Sequence, residues 1–485
     1  MPCESKSLIQ YISWILQEMN GILWGPVMLV FLVGTGVFLT IRLKFLTWKN
    51  IGFSLKTVFG RKESLEKSSE IEKQEEKGDV SAFQALATSL AATIGTGNIT
   101  GVATAMVAGG PGALVWMWIS ALFGLSTTYA ESVLAVKYRE NNAKGEMCGG
   151  PMYTLKNGLG GRIGRALAVA FAIFTVGASL GIGNMVQANS VAQAVQDTIE
   201  IPVWKVGAIC GCLAFIVLMG GIKSIGKVCQ FVIPFMALFY VAGGLCVIGI
   251  HFKNIPQGLC DIFSMAFSTK AVGGGLCGTI MGNMFCAMRM GISRGVFSNE
   301  AGLGSAPIAA AAAVTDNPSK QGYVNMTGPF LDTIVICTLT GLVIAASGVL
   351  GTTETMVDQM TGQVIEQYVN GTDLTKMAFE SALGEIGGYV VTIGIVFFAF
   401  ATILGWEYYG EKALEYLISN RKAVLWYRFF YCIAVFVGCV ASMEFVWLFS
   451  DNMNALMAIP NLISLWVLHD VVAEECFSFQ KEHKN

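Results

Sequence analysis

Charged side chains are scarce in this sequence. Lysine, arginine, aspartate and glutamate together make up 13% of its 485 residues, whereas a soluble domain carries about 25%. This scarcity argues against a chain whose surface mostly contacts water. The formal net charge is only −2, so the sequence lacks the strongly basic surface that is typical of nucleic-acid binding. We therefore expect no nucleic-acid partner.

The residues that commonly build catalytic and metal centres are sparse or poorly spaced. Histidine occurs three times, at His251, His469 and His483, and none of the three has a metal-ligand or base partner in the sequence. The 13 cysteines lie mostly within apolar runs. Cys210 and Cys212 are too close together for a C-x-x-C motif. We expect neither an enzyme nor a cofactor-binding protein.

Long apolar runs dominate the rest of the chain. Hydrophobic residues account for 54% of it, and runs of about 20 residues, enough to cross a hydrocarbon core of roughly 30 Å, recur along its length. Eleven such runs are found, at 21–42, 82–108, 112–136, 165–196, 203–220, 228–250, 279–313, 326–349, 386–418, 424–441 and 444–468. The sequence therefore predicts an all-α membrane protein with about eleven transmembrane helices.

The charge of the loops predicts the orientation. The loop after the first run contains Arg42, Lys44 and Lys49 and continues into the charge run 61–79, which we expect to be a solvated linker. The later basic loops fall on the same side if the spans alternate, and the longest loop on the other side, about 350–385, is acidic. Because basic loops stay in the cytoplasm, we predict a multi-pass protein of the cell (inner) membrane with its N-terminus outside and its C-terminus in the cytoplasm.

A glycine pattern interrupts two of the runs. Residues 95–98 read GTGN within the second run, and residues 302–305 read GLGS within the seventh. Two glycines around one residue, followed by a polar side chain, favour local unwinding. Unwound backbone at membrane depth leaves N–H and C=O groups that protein, water, an ion or a substrate must satisfy. The pattern predicts two broken helices; the alternative is that these glycines only allow close helix packing.

The two breaks also predict the domain organisation. If the first run is set aside, the remaining ten divide into two sets of five, each led by a broken helix, and the second set is inverted because it starts from the opposite face. The predicted divisions are an N-terminal helix at 1–42, a charged cytoplasmic linker at 43–80, a first repeat at 81–250, a second repeat at 279–468 and a cytoplasmic tail at 469–485. Broken helices at matching positions of inverted repeats indicate the binding site of a secondary transporter.

The chemistry of such breaks suits a zwitterion and a cation. Half-helix N-termini present N–H groups to a carboxylate, and exposed carbonyls suit Na⁺. Half-helix C-termini suit a cation or the ammonium group of the substrate. These groups together fit an amino acid that is transported with a cation.

Two long segments resemble the signature of the alanine or glycine:cation symporter family, also called the sodium:alanine symporter family. They read IGTGNITGVATAMVAGGPGALVWMWISALFGLSTTYAESVLAVKYRE at 94–140 and RGVFSNEAGLGSAPIAAAAA at 294–313, and PMYTLKNGLG at 151–160 agrees with them. The resemblance covers essentially the whole chain after residue 20. It implies the leucine-transporter fold with one extra helix placed first, and Na⁺-coupled import of alanine or glycine by alternating access. The alternative is a proton-coupled carrier that uses Glu300 or Glu131.

Candidate sodium ligands are oxygen atoms near the breaks, because Na⁺ requires hard oxygen ligands. Asn98 matches a sodium-ligand asparagine of the broader superfamily, although it would also serve to cap the unwound strand. The predicted sodium-binding residues are Thr93, Ile94, Asn98, Ser298 and Thr402.

We expect the substrate to lie between the two breaks. The amide of Gln187 would either contact it, as the resemblance favours, or form an interhelical hydrogen bond. Thr402 and Trp406 are four residues apart and share a helix face, so Trp406 would either form one wall of a small pocket or simply pack. The predicted substrate-binding residues are Gly95, Thr96, Gly97, Gln187, Phe297, Ser298, Gly302, Thr402 and Trp406.

Carboxyl groups within the apolar runs are treated as functional because their burial is expensive. Glu300 is expected to pair with Arg294, to line the ion path or to accept backbone N–H groups. The resemblance implies that Glu131 caps free N–H groups of the unwound helices. The predicted structural or gating residues are Glu131, Glu300 and Gly304. Asp332, early in the eighth run, is interpreted as an interfacial residue near the cytoplasmic end.

Overall fold

The computed structural model describes residues 8–59, 78–142, 145–268, 282–315, 317–357, 364–441 and 443–482. The part of the charge run at 61–77 lies outside these ranges, and so does the start of the seventh apolar run, at 279–281. The solvated linker therefore stays a prediction.

Helices make up most of the described chain. They are α1 Leu8–Leu23, α2 Pro26–Arg42, α3 Leu46–Lys49, α4 Ile51–Phe59, α5 Ala82–Thr93, α6 Thr100–Gly109, α7 Ala113–Lys137, α8 Pro151–Thr154, α9 Gly161–Leu180, α10 Val186–Ile199, α11 Val203–Leu218, α12 Gly221–Ile250, α13 Ile255–Ala266, α14 Gly282–Asn299, α15 Ala306–Ala310, α16 Pro318–Asn325, α17 Thr327–Pro329, α18 Thr338–Ser347, α19 Gly371–Leu383, α20 Glu385–Leu417, α21 Arg421–Val440, α22 Met443–Val467 and α23 His469–Glu482. Short 3₁₀ turns lie at Thr96–Asn98 and Phe252–Asn254, and π-helical turns at Leu155–Leu159, Gly181–Met185 and Phe330–Cys337.

Two antiparallel hairpins complete the described elements. Strands β1 Glu140–Asn141 and β2 Met147–Cys148 form one, and β3 Thr353–Val357 and β4 Val364–Tyr368 form the other. The second hairpin and α19 lie within the acidic stretch that the sequence suggested was a loop. The start of α19 packs on the start of α6, where the hydroxyls of Thr372 and Thr100 are 2.9 Å apart.

The all-α membrane fold is confirmed. Among the described residues, six helices are long and apolar enough to cross a membrane: Ala113–Lys137, Gly161–Ile199, Gly221–Ile250, Pro318–Ser347, Glu385–Leu417 and Arg421–Val440. Two further candidates are pairs of helices bent by 45° and 62°. The remaining predicted spans correspond to the two broken helices and to α11, which has 16 residues. The number eleven and the repeat boundaries stay predictions.

Apolar side chains also cover the outside of the protein. Ile216, Phe231 and Leu238, on α11 and α12, are 70%, 73% and 72% exposed. Large exposed apolar surfaces are unusual for soluble proteins and suit a face in contact with lipid. The polar side chains of the predicted site lie inside, where α14 packs against α6 and α7 and where α20 packs against α5, α9 and α10.

Candidate functional site

The first predicted break interrupts the helix between α5 and α6. The α-helix ends at Thr93, and Gly95 has an extended backbone (φ −134°, ψ −151°) before the short 3₁₀ turn. The N–H of Gly95 donates to Oδ1 of Asn98 at 2.9 Å, and the N–H of Thr96 donates to Oε1 of Gln187 at 3.1 Å. Side chains therefore satisfy two backbone donors that the unwinding leaves free.

The second predicted break lies between α14 and α15. Three residues there have positive φ angles: Glu300 at 59°, Gly302 at 92° and Gly304 at 80°. Glycine adopts such angles without steric penalty, which explains the two glycines of the GLGS pattern. Glu131 accepts the N–H of Gly302 at 3.1 Å through Oε1. The same oxygen accepts Nδ2 of Asn461 at 2.5 Å, and Nδ2 also donates to the carbonyl of Gly302 at 3.0 Å.

The two breaks lie directly beside each other. A Cβ atom built on Gly97 would come within 3.1 Å of Cα of Ser298, the residue just before the end of α14. Ser298 and Gly97 are buried, as is every other residue of the predicted site. The breaks therefore form a single enclosed site.

Asp332 joins the two breaks. Its Oδ1 accepts Nδ2 of Asn98 at 2.6 Å and the hydroxyl of Ser298 at 3.1 Å. Its Oδ2 accepts the hydroxyl of Thr333 at 2.8 Å. No lysine or arginine is among these partners in the described chain. Asp332 thus supplies a carboxylate surrounded by hydroxyl and amide groups, which is the oxygen-rich type of site that hard cations bind.

The interpretation of Asp332 as an interfacial residue is wrong. Its side chain is fully buried (0% exposed). Asp332 contacts both broken helices instead of facing the surface of the protein. Its partners Asn98 and Ser298 lie on other helices, and local hydropathy does not reveal such contacts.

A second group of oxygens surrounds Thr402. Its hydroxyl lies 2.9 Å from the carbonyl of Ala91 and 3.4 Å from that of Ile94. A Cβ on Gly95 would lie 2.5 Å from the same hydroxyl. The predicted sodium ligands thus divide between this group and the group around Asp332. The hydroxyl of Thr93 donates to carbonyls of its own helix at 3.2 Å.

Glu300 does not pair with Arg294. Its Oε2 accepts the hydroxyl of Ser305 at 2.6 Å, across the second break. Arg294 instead binds Asp451 on α22, with Nη2 and Oδ2 2.8 Å apart. The pairing was wrong because the acidic partner of Arg294 comes from a helix that is distant in sequence.

Buried polar atoms at the breaks that have no hydrogen-bond partner among the described residues include Oγ1 of Thr96, Oε2 of Glu131, Oε1 of Glu300 and Nε1 of Trp406. The last two belong to side chains that interact with each other. Most buried polar groups in proteins are hydrogen-bonded, and groups left unpaired lose free energy. Such atoms are suited to bind a polar solute.

An ion pair and an aromatic stack close one side of the site. The guanidinium of Arg294 lies 5.4 Å from the ring centre of Phe297 and 4.8 Å from that of Trp447. The two rings are stacked with their centres 4.9 Å apart. Together with the pair between Arg294 and Asp451, these contacts join α14 to α22 beside the second break.

Backbone hydrogen bonds close the other side. The N–H groups of Asp79 and Val80 donate to the carbonyl of Ala312 at 2.9 and 3.2 Å, and the N–H of Val314 donates to the carbonyl of Val80 at 2.8 Å. The segment before the first broken helix is therefore bound to the segment after the second.

Arg139, just after α7, reinforces this connection. Its guanidinium donates to the carbonyls of Ala311, Ala313 and Thr315 at 2.9, 2.8 and 2.5 Å. Hydrogen bonds from a charged donor are stronger than neutral ones. We call residues 78–80, Arg139 and residues 311–315 the Arg139 clamp.

Lys412 anchors the first hairpin beside the clamp. Its ammonium lies 3.0 Å from Oε2 of Glu146 and 2.9 Å from Oε2 of Glu415. Its side chain is 3% exposed. Cys148, at the end of the hairpin, is buried near the same Glu415.

Comparison with known proteins agrees with this architecture. A family model described as "Sodium:alanine symporter family" matches residues 9–485. The chain belongs to the sodium:alanine symporter family. It is thus a multi-pass membrane symporter and not an enzyme, and the resemblance of its two signature segments is confirmed.

Individual relatives are similar over nearly their whole length. The sodium/alanine symporter AgcS of Methanococcus maripaludis is 48% identical over 472 residues, which cover 97% of this chain and 98% of that protein. An uncharacterized transporter of Haemophilus influenzae is 44% identical, with 96% and 95% covered. The crystal structure of MhsT in complex with L-phenylalanine has a TM-score of 0.54 at 11% identity and covers 83% of this chain and 99% of that one. The last likeness supports the fold alone.

Sequence reasoning missed two residues that hold the breaks. The sequence suggests for Asp332 only an interfacial position and not its contacts with both breaks. Asn461 was not singled out, although an amide followed three residues later by Ser464 within an apolar helix was a detectable signal. Its role depends on Glu131, which is 330 positions away in the sequence, and no local pattern connects the two.

Proposed function

We propose that this chain imports alanine or glycine together with Na⁺ by alternating access. The observation that carries the proposal is the carboxylate of Asp332, which hydrogen-bonds the first break through Asn98 and the second broken helix through Ser298. A negative charge shared by both moving helices is suited to couple the binding of a cation to their arrangement.

In this proposal Na⁺ binds at one or both oxygen groups. Ser298 and Asp332 supply side-chain oxygens to the first group. Asn98 faces Asp332 with Nδ2 and the N–H of Gly95 with Oδ1, so its amide must turn over to present an oxygen to the ion. Thr402, with the carbonyl of Ile94, supplies the second. Oxygen ligands in this number and of this type suit a hard monovalent cation.

The substrate is proposed to lie between the breaks, beside the unpartnered atoms of Thr96, Glu300 and Trp406. The amide of Gln187 and the rings of Phe297 and Trp406 border this region. All these side chains are at most 4% exposed, so the region is closed to solvent, and a substrate enters only when the surrounding side chains or helices move. The name of the Methanococcus maripaludis relative, a sodium/alanine symporter, supports the same substrate class.

The orientation is part of the proposal. With the N-terminus outside and the C-terminus in the cytoplasm, the Arg139 clamp lies on the cytoplasmic side and the pair between Arg294 and Asp451 on the outer side. Each closure joins one end of the second broken helix to a neighbouring segment. Alternate opening of the two closures would expose the site to each side in turn.

Uptake into proteoliposomes tests the function. The purified full-length chain should accumulate labelled alanine or glycine when an inward Na⁺ gradient is imposed, and it should not do so with K⁺ in place of Na⁺. Accumulation driven by a pH gradient without Na⁺ would contradict the proposal and support a proton-coupled carrier.

A further inference from the structure

A π-helical turn of five residues, Gly181–Met185, joins α9 to α10 and faces α20. Such turns insert an extra residue into a helix and are frequent at functional sites. The carbonyl of Ile182 accepts Nε2 of Gln187 at 2.9 Å. This bond orients the amide so that its Oε1 accepts the N–H of Thr96 at the first break. The π turn therefore positions one of the residues that border the proposed substrate region.

Gly183, in the same turn, is pressed against Trp406 of α20. A Cβ atom on Gly183 would overlap Cβ of Trp406 and would also lie 2.8 Å from Cδ2 of the indole. Gly183 does not have a positive φ angle, so the backbone does not require glycine here. The requirement is for space, because any side chain would push the turn and the indole apart.

Tyr431 on α21 holds this contact closed. Its hydroxyl lies 3.2 Å from the carbonyl of Gly183 and 3.0 Å from the carbonyl of Ile403. Ile403 precedes Trp406 by three residues on α20. One buried hydroxyl thus connects the backbone of the π turn with the backbone of α20. This connection limits how far Gly183 and Trp406 can move apart.

The indole of Trp406 extends from this contact towards the second break. The carboxyl group of Glu300, at the second break, lies within interaction range of the indole. The indole therefore lies between Gly183 and Glu300. A displacement away from the π turn moves the ring towards the break and reduces the room beside it.

We propose that Gly183, held by Tyr431, sets the upper size limit of the transported amino acid by fixing the position of the Trp406 indole. The inference rests on the proposed function, in which Trp406 borders the substrate. Gly183 is a positioning residue, since it acts through Trp406. A change of one methylene in an apolar pocket alters discrimination roughly 10- to 200-fold, so a small shift of the ring is sufficient.

The experiment compares the uptake of different amino acids by each variant, because an overall loss of uptake would not distinguish a change in selectivity from a loss of stability. The full-length chain and its variants are reconstituted in proteoliposomes, and Na⁺-driven uptake of glycine and of alanine is measured separately. Gly183→Ala should lower alanine uptake by about tenfold more than glycine uptake, because the displaced ring excludes the methyl group first. Gly249→Ala is the matched control, since a Cβ at that position meets nothing within 4 Å.

Tyr431→Phe provides a second variant that adds no bulk. It removes the hydroxyl that connects the π turn to α20, so the π turn can move back and the indole can follow it away from the second break. Serine and valine should then compete with alanine about fivefold better than in the wild type. This variant decides the question if Gly183→Ala fails to insert into the membrane.

The result that would contradict the inference is the same for Gly183→Ala and for Tyr431→Phe. If the two variants lower the uptake of all amino acids by the same factor, Gly183 and Tyr431 only stabilise the fold and the inference is overturned. That result leaves the proposed function intact, because the wild type still transports. A wild-type chain that takes up neither alanine nor glycine overturns the proposed function, and this inference with it.

Discussion

The side-chain amide of Asn98 donates to Oδ1 of Asp332 at 2.6 Å, across 234 positions of the sequence. The same oxygen accepts the hydroxyl of Ser298. A movement of either broken helix must therefore lengthen or rearrange a hydrogen bond to this carboxylate. Occupation of the carboxylate by a cation would affect both helices, which is the physical requirement for coupling ion binding to a conformational change.

Replacement of Asp332 tests this coupling. Asp332→Asn keeps the shape of the side chain and removes its charge, so we expect the Na⁺ concentration for half-maximal alanine uptake to rise on the order of tenfold or more, in line with about 1.5–3 kcal/mol for a hydrogen bond to a charged group. Asp261→Asn, on α13 away from the site, is the control. Unchanged Na⁺ dependence in a well-inserted Asp332→Asn protein would exclude Asp332 as a sodium ligand.

The two breaks could be predicted from the sequence, whereas the carboxylate between them could not. A GxG pattern followed by a polar residue is a local signal, and it correctly indicated where the helices unwind. The environment of Asp332 depends on Asn98 and Ser298, which lie on other helices.

The contrast between local sequence signals and contacts with distant helices also applies to Glu131 and Glu300. The expectation for Glu131, which came from the family resemblance, agrees with its bond to the N–H of Gly302. The pair between Glu300 and Arg294 was suggested by their proximity in sequence. In the structure the two have different partners: Glu300 has a left-handed backbone and accepts the hydroxyl of Ser305, whereas Arg294 binds Asp451. Local spacing cannot reveal such a change of direction.

The size of the site depends on Trp406. Trp406→Ala should weaken the apparent affinity for alanine and admit larger neutral amino acids. It should also reduce the free energy of unfolding by about 3–5 kcal/mol, as for other buried aromatic truncations. Competition of labelled alanine uptake by serine, valine and leucine measures the first effect. Trp204→Ala is the control, because Trp204 is 54% exposed on the outer surface; if both variants keep the selectivity of the wild type, Trp406 does not border the substrate.

The Arg139 clamp should control access from its side of the site. Arg139→Ala removes three hydrogen bonds to carbonyls after α15, and the loss of even one charge-assisted bond weakens the closed form by about 1.5–3 kcal/mol. We expect Cys148, which is 1% exposed, to react with a polar thiol reagent on the order of tenfold faster.

The labelling of other cysteines must be subtracted in that experiment. The double variant with Arg139→Ala and Cys148→Ser gives the background under the same conditions. Equal labelling of Cys148 in Arg139→Ala and in the wild type, with normal membrane insertion, would mean that the clamp only stabilises the fold.

The glycines of the two breaks should respond differently to an added methyl group. At Gly97 a Cβ would lie 3.1 Å from Cα of Ser298, which is tight but leaves the backbone conformation allowed. At Gly304 the backbone has a φ of 80°, and a Cβ would lie 2.6 Å from Cγ of Pro151. Gly304→Ala should therefore lower the free energy of unfolding by about 1–3 kcal/mol through backbone strain. Gly97→Ala should lower it by less, because Ser298 needs to shift by only a few tenths of an ångström.

Transport should be more sensitive to substitution at Gly97 than to substitution at Gly304, the reverse of the order for stability. Gly97→Ala separates the first break from Ser298 at the point where the proposed ion and substrate sites meet, so Na⁺-driven alanine uptake should fall even though the protein remains stable. The larger Gly97→Leu should abolish uptake, since leucine also favours continuous helix. Gly101→Ala, on α6 with nothing within 4 Å of its Cβ, is the control for both. Thermal unfolding and uptake are measured on the same preparations, and a Gly97→Ala protein that transports alanine with the Na⁺ affinity of the wild type would show that close contact between the two breaks is not needed for the shared site.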